Sequence, residues 1–271
     1  MYQKAIVTFI DILGFGNFVK QSDADAINSV LDAVEKSTSP LHLDDVVMKD
    51  DHAEVVSFSD SIVRIRKIET KENQKYPGGL LFQELISLVH AQGELIDFDI
   101  VIRGGVSVGD VYISGGRAFG PGLIQAYELE SKYALYPRII IDPLLIQEHK
   151  TDKLLKAKWH SVEDELEIMG RLLRQGDDGM WFIDYAVALE QELDEPEMYP
   201  IFLQRHREVI LAGARNHTKL NAILSKFVWM ANYHNQIISN IHDEAFETYN
   251  LDKDDFIITS EEIPALQYMK P

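Results

Sequence analysis

Apolar residues in the first part of the chain follow two different periods. Residues 5–13, AIVTFIDIL, are apolar and β-branched, which is typical of a buried strand. From residue 26 to residue 34 the apolar positions recur every three or four residues, which predicts a helix that Ser22 or Asp23 can cap. Residues 54–68 form two apolar arms around Asp60, which predicts a hairpin with this aspartate in its turn.

Further elements follow in the same way as far as residue 141. The pattern predicts a helix over residues 80–92, a strand over 99–108 and a glycine-rich segment over 115–122. A helix over 123–134 and a strand over 137–141 complete the series. This order predicts an α+β domain with one mainly antiparallel sheet, covered by helices on one face.

The second half of the chain has a different character. Helical periods dominate residues 163–173 and 199–241, and the segment MWFIDY after Gly179 predicts one further short strand. We therefore expect a first domain over residues 1–145 and a mainly helical C-terminal extension, packed on it, over residues 146–271.

Composition restricts the partners of this chain of 271 residues. A formal net charge of −18 argues against a nucleic-acid partner, which needs a broad basic surface. The chain has no cysteine, so a bound metal must use oxygen or imidazole ligands, and oxygen ligands favour Mg²⁺ or Mn²⁺. No apolar run is long enough to span a membrane and no signal peptide is evident, so we expect a cytoplasmic protein.

Asp11 is the strongest anomaly in the pattern, because an ionised carboxylate inside an apolar strand is costly without a compensating partner. A carboxylate that caps backbone amides at the strand end is one interpretation. The other is a metal site, because Asp60 stands in a turn between strands that can pair beside the first. Two carboxylates that converge there can bind two divalent cations.

Arginines near the glycines are candidates for binding phosphate. Arg103 stands before Gly104 and Gly105 and can hold phosphate oxygens, although an ion pair with an aspartate (Asp11, Asp97 or Asp99) is an equal alternative. Arg117 and Arg138 have the same two interpretations. The glycines form neither a GxxxxGK[ST] nor a GxGxxG motif, so they indicate no particular ligand by themselves.

Four segments occur in the order FIDILGF, SFSDSIV, IRGGVSVGDVY and FGPGLIQAYELES, over roughly residues 5–141. Together they resemble the class III nucleotidyl cyclases. The resemblance implies a ferredoxin-like core that forms a homodimer with active sites at the subunit interface. It also implies two Mg²⁺ or Mn²⁺ ions at each site.

The resemblance assigns roles to residues at the matching positions. Asp11 and Asp60 are the implied metal ligands, together with Ile12. The backbone of Ile12, Leu13, Gly14 and Phe15 is expected to cradle the triphosphate. One ion is then expected to activate the ribose 3′-hydroxyl and the other to hold the β- and γ-phosphates.

The chain departs from the purine cyclases in the helix that usually reads VNxAxR. Ile124 and Glu128 stand where that helix carries asparagine and arginine. A glutamate cannot stabilise developing negative charge, so either another cation takes this part or the site is inactive. We nominate Arg103, Lys132 or Arg138 for this role.

The base-selecting position, commonly aspartate in adenylyl cyclases, falls near Arg117, with its partner near Val56. Arginine only donates hydrogen bonds, which suits the carbonyl oxygens of uracil or cytosine. With the helical extension, the chain looks most like the bacterial pyrimidine cyclases of the Pycsar antiphage systems. These make cyclic UMP or cyclic CMP, a messenger that activates a separate effector, and we place UTP ahead of CTP.

Two other interpretations are weighed against this one. A catalytically silent cyclase-homology domain that senses a nucleotide or binds a partner agrees with Ile124 and Glu128, but it does not explain both aspartates. A palm-type polymerase or diguanylate cyclase also pairs two carboxylates on such a sheet. The hairpin reads SFSDS and has no GG[DE]EF-type turn, which argues against this last class.

Overall fold

The structure is a computed structural model that describes residues 1–39, 53–71, 79–193, 195–216, 222–242, 246, 249 and 251–268. The chain divides into two compact units, Met1–Tyr185 and Ala186–Pro271. No helix within the described ranges combines the length and the apolar character that are needed to cross a lipid bilayer.

The first unit is built on a sheet whose central strand is β1 (Gln3–Ile12). This strand pairs antiparallel with β3 (Ser61–Lys67) along one edge and with β4 (Ile102–Ser114) along the other. β2 (Glu54–Phe58) forms the predicted hairpin with β3. The other described strands are β5 (Arg117–Phe119), β6 (Ile139–Ile141), β7 (Leu173–Gln175) and β8 (Trp181–Ile183).

The strand order is β2-β3-β1-β4-β6-β8-β7, and β5 pairs with β4 beside this path. Only β4 and β6 pair in parallel among these described strands, so the prediction of a mainly antiparallel sheet is confirmed. The α+β class is confirmed with it, because the helices accompany a sheet whose strands pair mainly antiparallel.

Helices occur where the apolar period predicted them. Asp23 caps the second helix, because its side chain accepts a hydrogen bond from the Ala26 amide at 2.9 Å.

A π-helical turn, Leu129–Tyr133, continues the fourth helix and is called the π turn below. The described helices of this unit are α1 (Phe15–Gln21), α2 (Ala24–Thr38), α3 (Leu80–Asp97), α4 (Pro121–Glu128), α5 (Pro143–His149) and α6 (Val162–Leu172).

The first unit extends beyond residue 145, where the sequence predicted a domain boundary. β8 pairs with β6 through Ile140 and Phe182, and β7 pairs with β8. These two short strands continue the sheet of the first unit, and the chain divides later, after Tyr185.

Helices cover both faces of the sheet, so the prediction of helices on one face is wrong. Side chains alternate between the faces along a strand. Val7 of β1 belongs to an apolar cluster with Ala126 of α4. Thr8, the next residue, instead donates a hydrogen bond to Glu84 of α3 at 2.7 Å. α3 and α4 therefore lie on opposite faces.

A charged cluster is buried between the sheet and α3. Glu84 accepts hydrogen bonds from Arg64 Nε at 2.9 Å and from Arg66 Nε at 3.2 Å, in addition to the one from Thr8. Burial raises the pKa of Glu84, but the two guanidinium charges and the hydrogen bonds outweigh it and hold the pKa at about 2. The Arg64 guanidinium also donates to the Thr38 carbonyl and to Ser87.

We expect Glu84→Gln to lower the free energy of unfolding by about 3 to 5 kcal/mol, because it removes the buried carboxylate that pairs with both Arg64 and Arg66. Urea unfolding at neutral pH measures this difference. Glu94→Gln, an exposed position on the same helix, is the control and should change stability by less than about 0.5 kcal/mol.

The pKa of Glu84 is lower in the folded protein than in the unfolded chain. The contribution of Glu84 to the free energy of unfolding is therefore present above about pH 4.5 and is lost as the pH falls towards about 2.

The second unit is mainly helical, as predicted. α7 (Tyr185–Glu192) leads into α8 (Met198–Arg215) and α9 (Ala222–Asn240), followed by two short 3₁₀ turns. Residues 217–221 of the predicted helical stretch lie outside the described residues. Asn235 joins α9 to the C-terminal segment, since its side chain donates to the Ile258 carbonyl at 2.7 Å and accepts from the Ile258 amide at 2.8 Å.

Two histidines face each other in the core of this unit. The Nδ1 atoms of His206 and His234 are 2.9 Å apart, and Nε2 of His234 is 2.9 Å from the Phe256 carbonyl oxygen. Nε2 of His234 therefore carries a proton, its Nδ1 accepts, and His206 Nδ1 donates. Burial lowers the pKa of His234 to about 4, and burial with the charge of His234 lowers the pKa of His206 well below its ordinary value.

We expect the second unit to lose stability as the pH falls from about 6.5 to about 4, because unfolded histidines bind protons in that range and the buried pair does not. Circular dichroism during urea unfolding at several pH values measures this slope. His206→Asn keeps a donor near the Nδ1 position and removes one titrating ring, so it should reduce the slope. His242→Asn, an exposed position of the same unit, should leave the slope as in the wild type.

Candidate active site

Pairing along β1 brings Asp11 and Asp60 to neighbouring positions at one end of the sheet. Asp11 lies opposite Ser61 of β3, and the Ile12 amide donates to the Asp60 carbonyl at 3.2 Å. Asp60 follows Ser59 in the two-residue turn of the hairpin, and Ser59 adopts the left-handed conformation, with a φ of 55°, that such turns use. The structure thus places the two predicted metal ligands side by side along the backbone.

The two carboxylates differ in their surroundings. The Asp60 side chain is half-buried and has no hydrogen bond or ion pair with any described residue. The Asp11 side chain is 21% exposed and forms an ion pair with Arg103. Asp60 therefore presents an anion with no cation from the described part of the chain, whereas Asp11 already has one.

Arg103 lies directly opposite Asp11 in the register of β1 and β4. Its Nε and Nη2 atoms donate to Asp11 Oδ2 at 3.2 and 3.1 Å, and Nη1 donates to the Ala134 carbonyl at 3.3 Å. Of the alternatives left open by the sequence, the structure shows the ion pair with Asp11. The pairing follows from the strand register, because residues opposite each other project from the same face.

Glu130 is the residue at this site that sequence reasoning did not identify. It lies in the π turn, its side chain is only 4% exposed, and its Oε1 is 2.7 Å from Arg103 Nη2. The glutamate stands in the polar run ELESK, which gives no sign that one member is buried. Only the packing of the π turn against β4 identifies it.

Glycines of β4 allow this close packing. A Cβ atom on Gly105 would lie 2.5 Å from the Ala126 carbonyl oxygen and 2.5 Å from Leu129 Cβ, and one on Gly109 would lie 2.9 Å from Gly122 Cα. Glycines at these two positions therefore have a packing role, because they let α4 and the π turn lie directly on the strand that carries Arg103.

The turn after β1 contains the four residues expected to cradle a triphosphate. Ile12 and Phe15 are buried, the Leu13 amide donates to the Val101 carbonyl at 2.8 Å, and Gly14 has a φ of +79° that favours glycine. The amides of Gly14, Phe15 and Gly16 have no hydrogen bond with described residues. Gly14 and Gly16 are exposed, whereas Phe15 between them is buried.

The other nominated cations have carboxylate partners of their own. The Arg138 guanidinium is almost fully buried, pairs with Asp178 and lies 5.4 Å from the ring centre of Phe182. Lys132 is 58% exposed and pairs with Glu128 at 2.7 Å, and this hydrogen bond raises the pKa of Lys132. The structure thus shows these two side chains in ion pairs with Asp178 and Glu128, whereas it pairs Asp11 with Arg103.

The two base-selecting candidates stand on separate strands. Val56 pairs with Val63 inside the hairpin, whereas Arg117 is exposed and begins β5 opposite Ser114. Three strands lie between them in the sheet order, and the structure shows no contact between them.

The carboxylate oxygens of Asp11 and Asp60 are suitable ligands for a divalent cation. Mg²⁺ takes six oxygen ligands and is commonly held by one or two carboxylates, with waters and substrate phosphates completing the shell. Asp11 and Asp60 supply two such carboxylates, and the Asp60 carboxylate has no competing partner among described residues. No group of three or more histidine, aspartate or glutamate side chains suited to a metal occurs within the described ranges.

Comparisons with known proteins found matches among solved structures, and each covers part of this chain. No family model and no curated protein matches the chain. The catalytic core of a rhodopsin–guanylyl cyclase with converted specificity, in complex with ATPαS, is 15% identical, with 67% of this chain and 96% of the other covered and a TM-score of 0.37. A bacterial light-regulated adenylyl cyclase is 14% identical, with 52% and 76% covered and a TM-score of 0.35.

A third solved structure is a class III adenylyl cyclase-like ATP-binding protein from Pseudomonas aeruginosa. It is 13% identical, with 62% of this chain and 40% of the other covered and a TM-score of 0.37. Structural matches with TM-scores this low do not indicate the activity of this chain.

Proposed function

We propose that this chain is a nucleotidyl cyclase that converts UTP or CTP into the 3′,5′-cyclic monophosphate and pyrophosphate, with UTP favoured. The observation that carries the proposal is the placement of Asp11 and Asp60 side by side, where β1 meets the hairpin turn. These residues stand in the first two of the four segments that resemble class III nucleotidyl cyclases.

Asp11 and Asp60, with the backbone of Ile12, would hold two Mg²⁺ or Mn²⁺ ions. Such ions lower the pKa of an attacking hydroxyl and neutralise charge on a leaving pyrophosphate. The need for them is supported by the surrounding charges. Arg103, Lys132 and Arg138 are each paired with a carboxylate, so the charges of these three side chains are already partly neutralised within the protein.

The turn after β1 would bind the phosphates. The available amides of Gly14, Phe15 and Gly16 point to hydrogen bonds with phosphate oxygens, and this role needs no side chain. Arg117 would donate to a carbonyl oxygen of the pyrimidine, with Val56 against the base, because a guanidinium cannot accept from the amino group of adenine.

The reaction requires alignment of two groups of the same nucleotide. The ribose 3′-hydroxyl attacks the α-phosphorus and loses its proton to water, a new phosphorus–oxygen bond forms, and the bond to pyrophosphate breaks. No covalent bond to the protein is needed, so the protein contributes by positioning and by charge. Arg103 or another nominated cation, Lys132 or Arg138, would stabilise the charge that develops.

A homodimer with active sites at the subunit interface belongs to the same proposal. Ile124 is 60% exposed on α4, and the side chain of Glu128 is 41% exposed, so this surface is accessible to a second copy. The cyclic nucleotide would act in the cytoplasm as a messenger of antiphage defence and activate a separate effector.

A catalytically silent domain that binds a nucleotide is the second candidate. The observation that favours it is Glu128, which occupies the place of the family's arginine and is paired with Lys132. In this case Asp11 and Asp60 would hold a metal–nucleotide complex that does not react.

We expect the purified protein to form a cyclic monophosphate from UTP or CTP and not from ATP, because Arg117 can only donate and adenine has no carbonyl acceptor. ATP, GTP, CTP and UTP are each incubated with Mn²⁺, and the products are identified by mass spectrometry. A product from ATP would contradict the role of Arg117, and a product from GTP would contradict the preference for pyrimidines. Binding of a nucleotide without any product would favour the silent domain.

We expect Asp60→Ala to reduce turnover about a thousandfold or more, since it removes one of two metal carboxylates. The fold should persist, because the Asp60 carboxylate has no partner within the described chain. Cyclic nucleotide formation and thermal melting measure the two effects. Asp177→Ala, an aspartate of another exposed turn, is the matched control. Wild-type turnover of Asp60→Ala would refute the two-metal assignment.

A further inference from the structure

Three charged side chains form a continuous row beside the sheet. Arg103 lies between Asp11, whose Oδ2 is 3.1 Å from Nη2, and Glu130, whose Oε1 is 2.7 Å from the same nitrogen. Arg103 and Asp11 are each 21% exposed, whereas Glu130 is 4% exposed. The row thus runs from a partly accessible carboxylate to a buried one.

Packing fixes the position of the segment that carries Glu130. Glu130 belongs to the π turn, and the adjacent Leu129 and nearby Ala134 pack in an apolar cluster with Ile140 of β6. The carbonyl of Ala134, the residue after the π turn, accepts from Arg103 Nη1 at 3.3 Å. The π turn and the residue that follows it therefore contact two nitrogens of the guanidinium.

This arrangement divides the charge of Arg103 between two carboxylates. If Arg103 were paired with Asp11 alone, its full charge would compete with a divalent cation for that carboxylate. Glu130 offsets this charge, so that the row carries one net negative charge. A cation-binding carboxylate whose neighbour is fixed in this way is oriented and keeps its charge for the metal.

We propose that Glu130 is a positioning residue that acts through Arg103 to orient Asp11 and to preserve its charge for a divalent cation. The inference rests on the proposed function, because it assigns Asp11 to metal binding. It adds a residue from the π turn that does not itself touch the metal. The occurrence of a π turn at this point agrees with the frequent location of such turns at functional sites.

Titration of Mn²⁺ into the full-length protein without nucleotide tests the proposal, with free Mn²⁺ followed by its electron paramagnetic resonance signal. We expect Glu130→Gln to weaken Mn²⁺ binding about tenfold, the size of effect typical of groups that orient a metal ligand. In an Arg103→Gln background, Glu130→Gln should change the affinity less than about twofold, because the mediating charge is gone.

Glu167→Gln is the matched control, because it removes one carboxylate from an exposed ion pair with Arg171 in the same unit. It should bind Mn²⁺ as the wild type does, and thermal melting shows whether each variant is folded. If Glu130→Gln does not fold, Glu130→Asp replaces it. Its shorter side chain withdraws the carboxylate from Arg103, so weaker Mn²⁺ binding is again expected.

Wild-type affinity in a folded Glu130→Gln or Glu130→Asp protein would overturn this inference and leave the proposed function in place. An equal loss with and without Arg103 would also overturn it, because Glu130 would then act without the arginine. A wild-type protein that binds no Mn²⁺ would overturn the inference together with the metal-binding role of Asp11 and Asp60.

Discussion

Continuous pairing of β1 along both of its edges is the constraint on which the first unit depends. The register places Asp11 opposite both Ser61 and Arg103, so the candidate site follows from the same backbone hydrogen bonds that hold the sheet together. A slip of one residue would exchange the two faces of the strand. Thr8 would then turn away from Glu84, and Asp11 would turn away from Arg103. The buried charges on one face and the row of charges on the other thus enforce a single register.

Charge compensation links the interior of this unit to its candidate chemistry. The chain has 44 acidic and 26 basic side chains, so a carboxylate is readily found for each buried or half-buried cation. Arg64 and Arg66 share Glu84, whereas Arg103 is shared by Asp11 and Glu130. In the second case the row ends at an accessible carboxylate beside Asp60. The positive charge of Arg103 at this end of the sheet is thus already shared by two carboxylates, which agrees with the divalent cations that the proposed reaction requires.

Local periodicity predicted most elements because it reports which side of a segment is buried. The hairpin around Asp60, the Asp23 cap and the helices of both units are at the predicted places. The prediction failed where burial depends on distant segments. α3 and α4 both have an apolar face, but the apolar period of a helix does not predict which face of the sheet the helix covers. β8 lies in the segment MWFIDY, where one further short strand was predicted, whereas β7 has three residues, too few for a periodic signal, and was not predicted. The sequence did not indicate that either strand joins the sheet of the first unit.

The sequence by itself determined the kinds of atoms available at the site. The two aspartates, the absence of cysteine and the glycine after the first strand are matters of composition and local order. The tertiary structure alone decided which of them meet. Whether Arg103 pairs with Asp11, Asp97 or Asp99 depends on the register of β1 and β4, and the partnership with Glu130 depends on how closely the π turn approaches Gly105. Contacts of this kind join residues far apart in the chain, and their energies depend on distances and burial that no local pattern of residues contains.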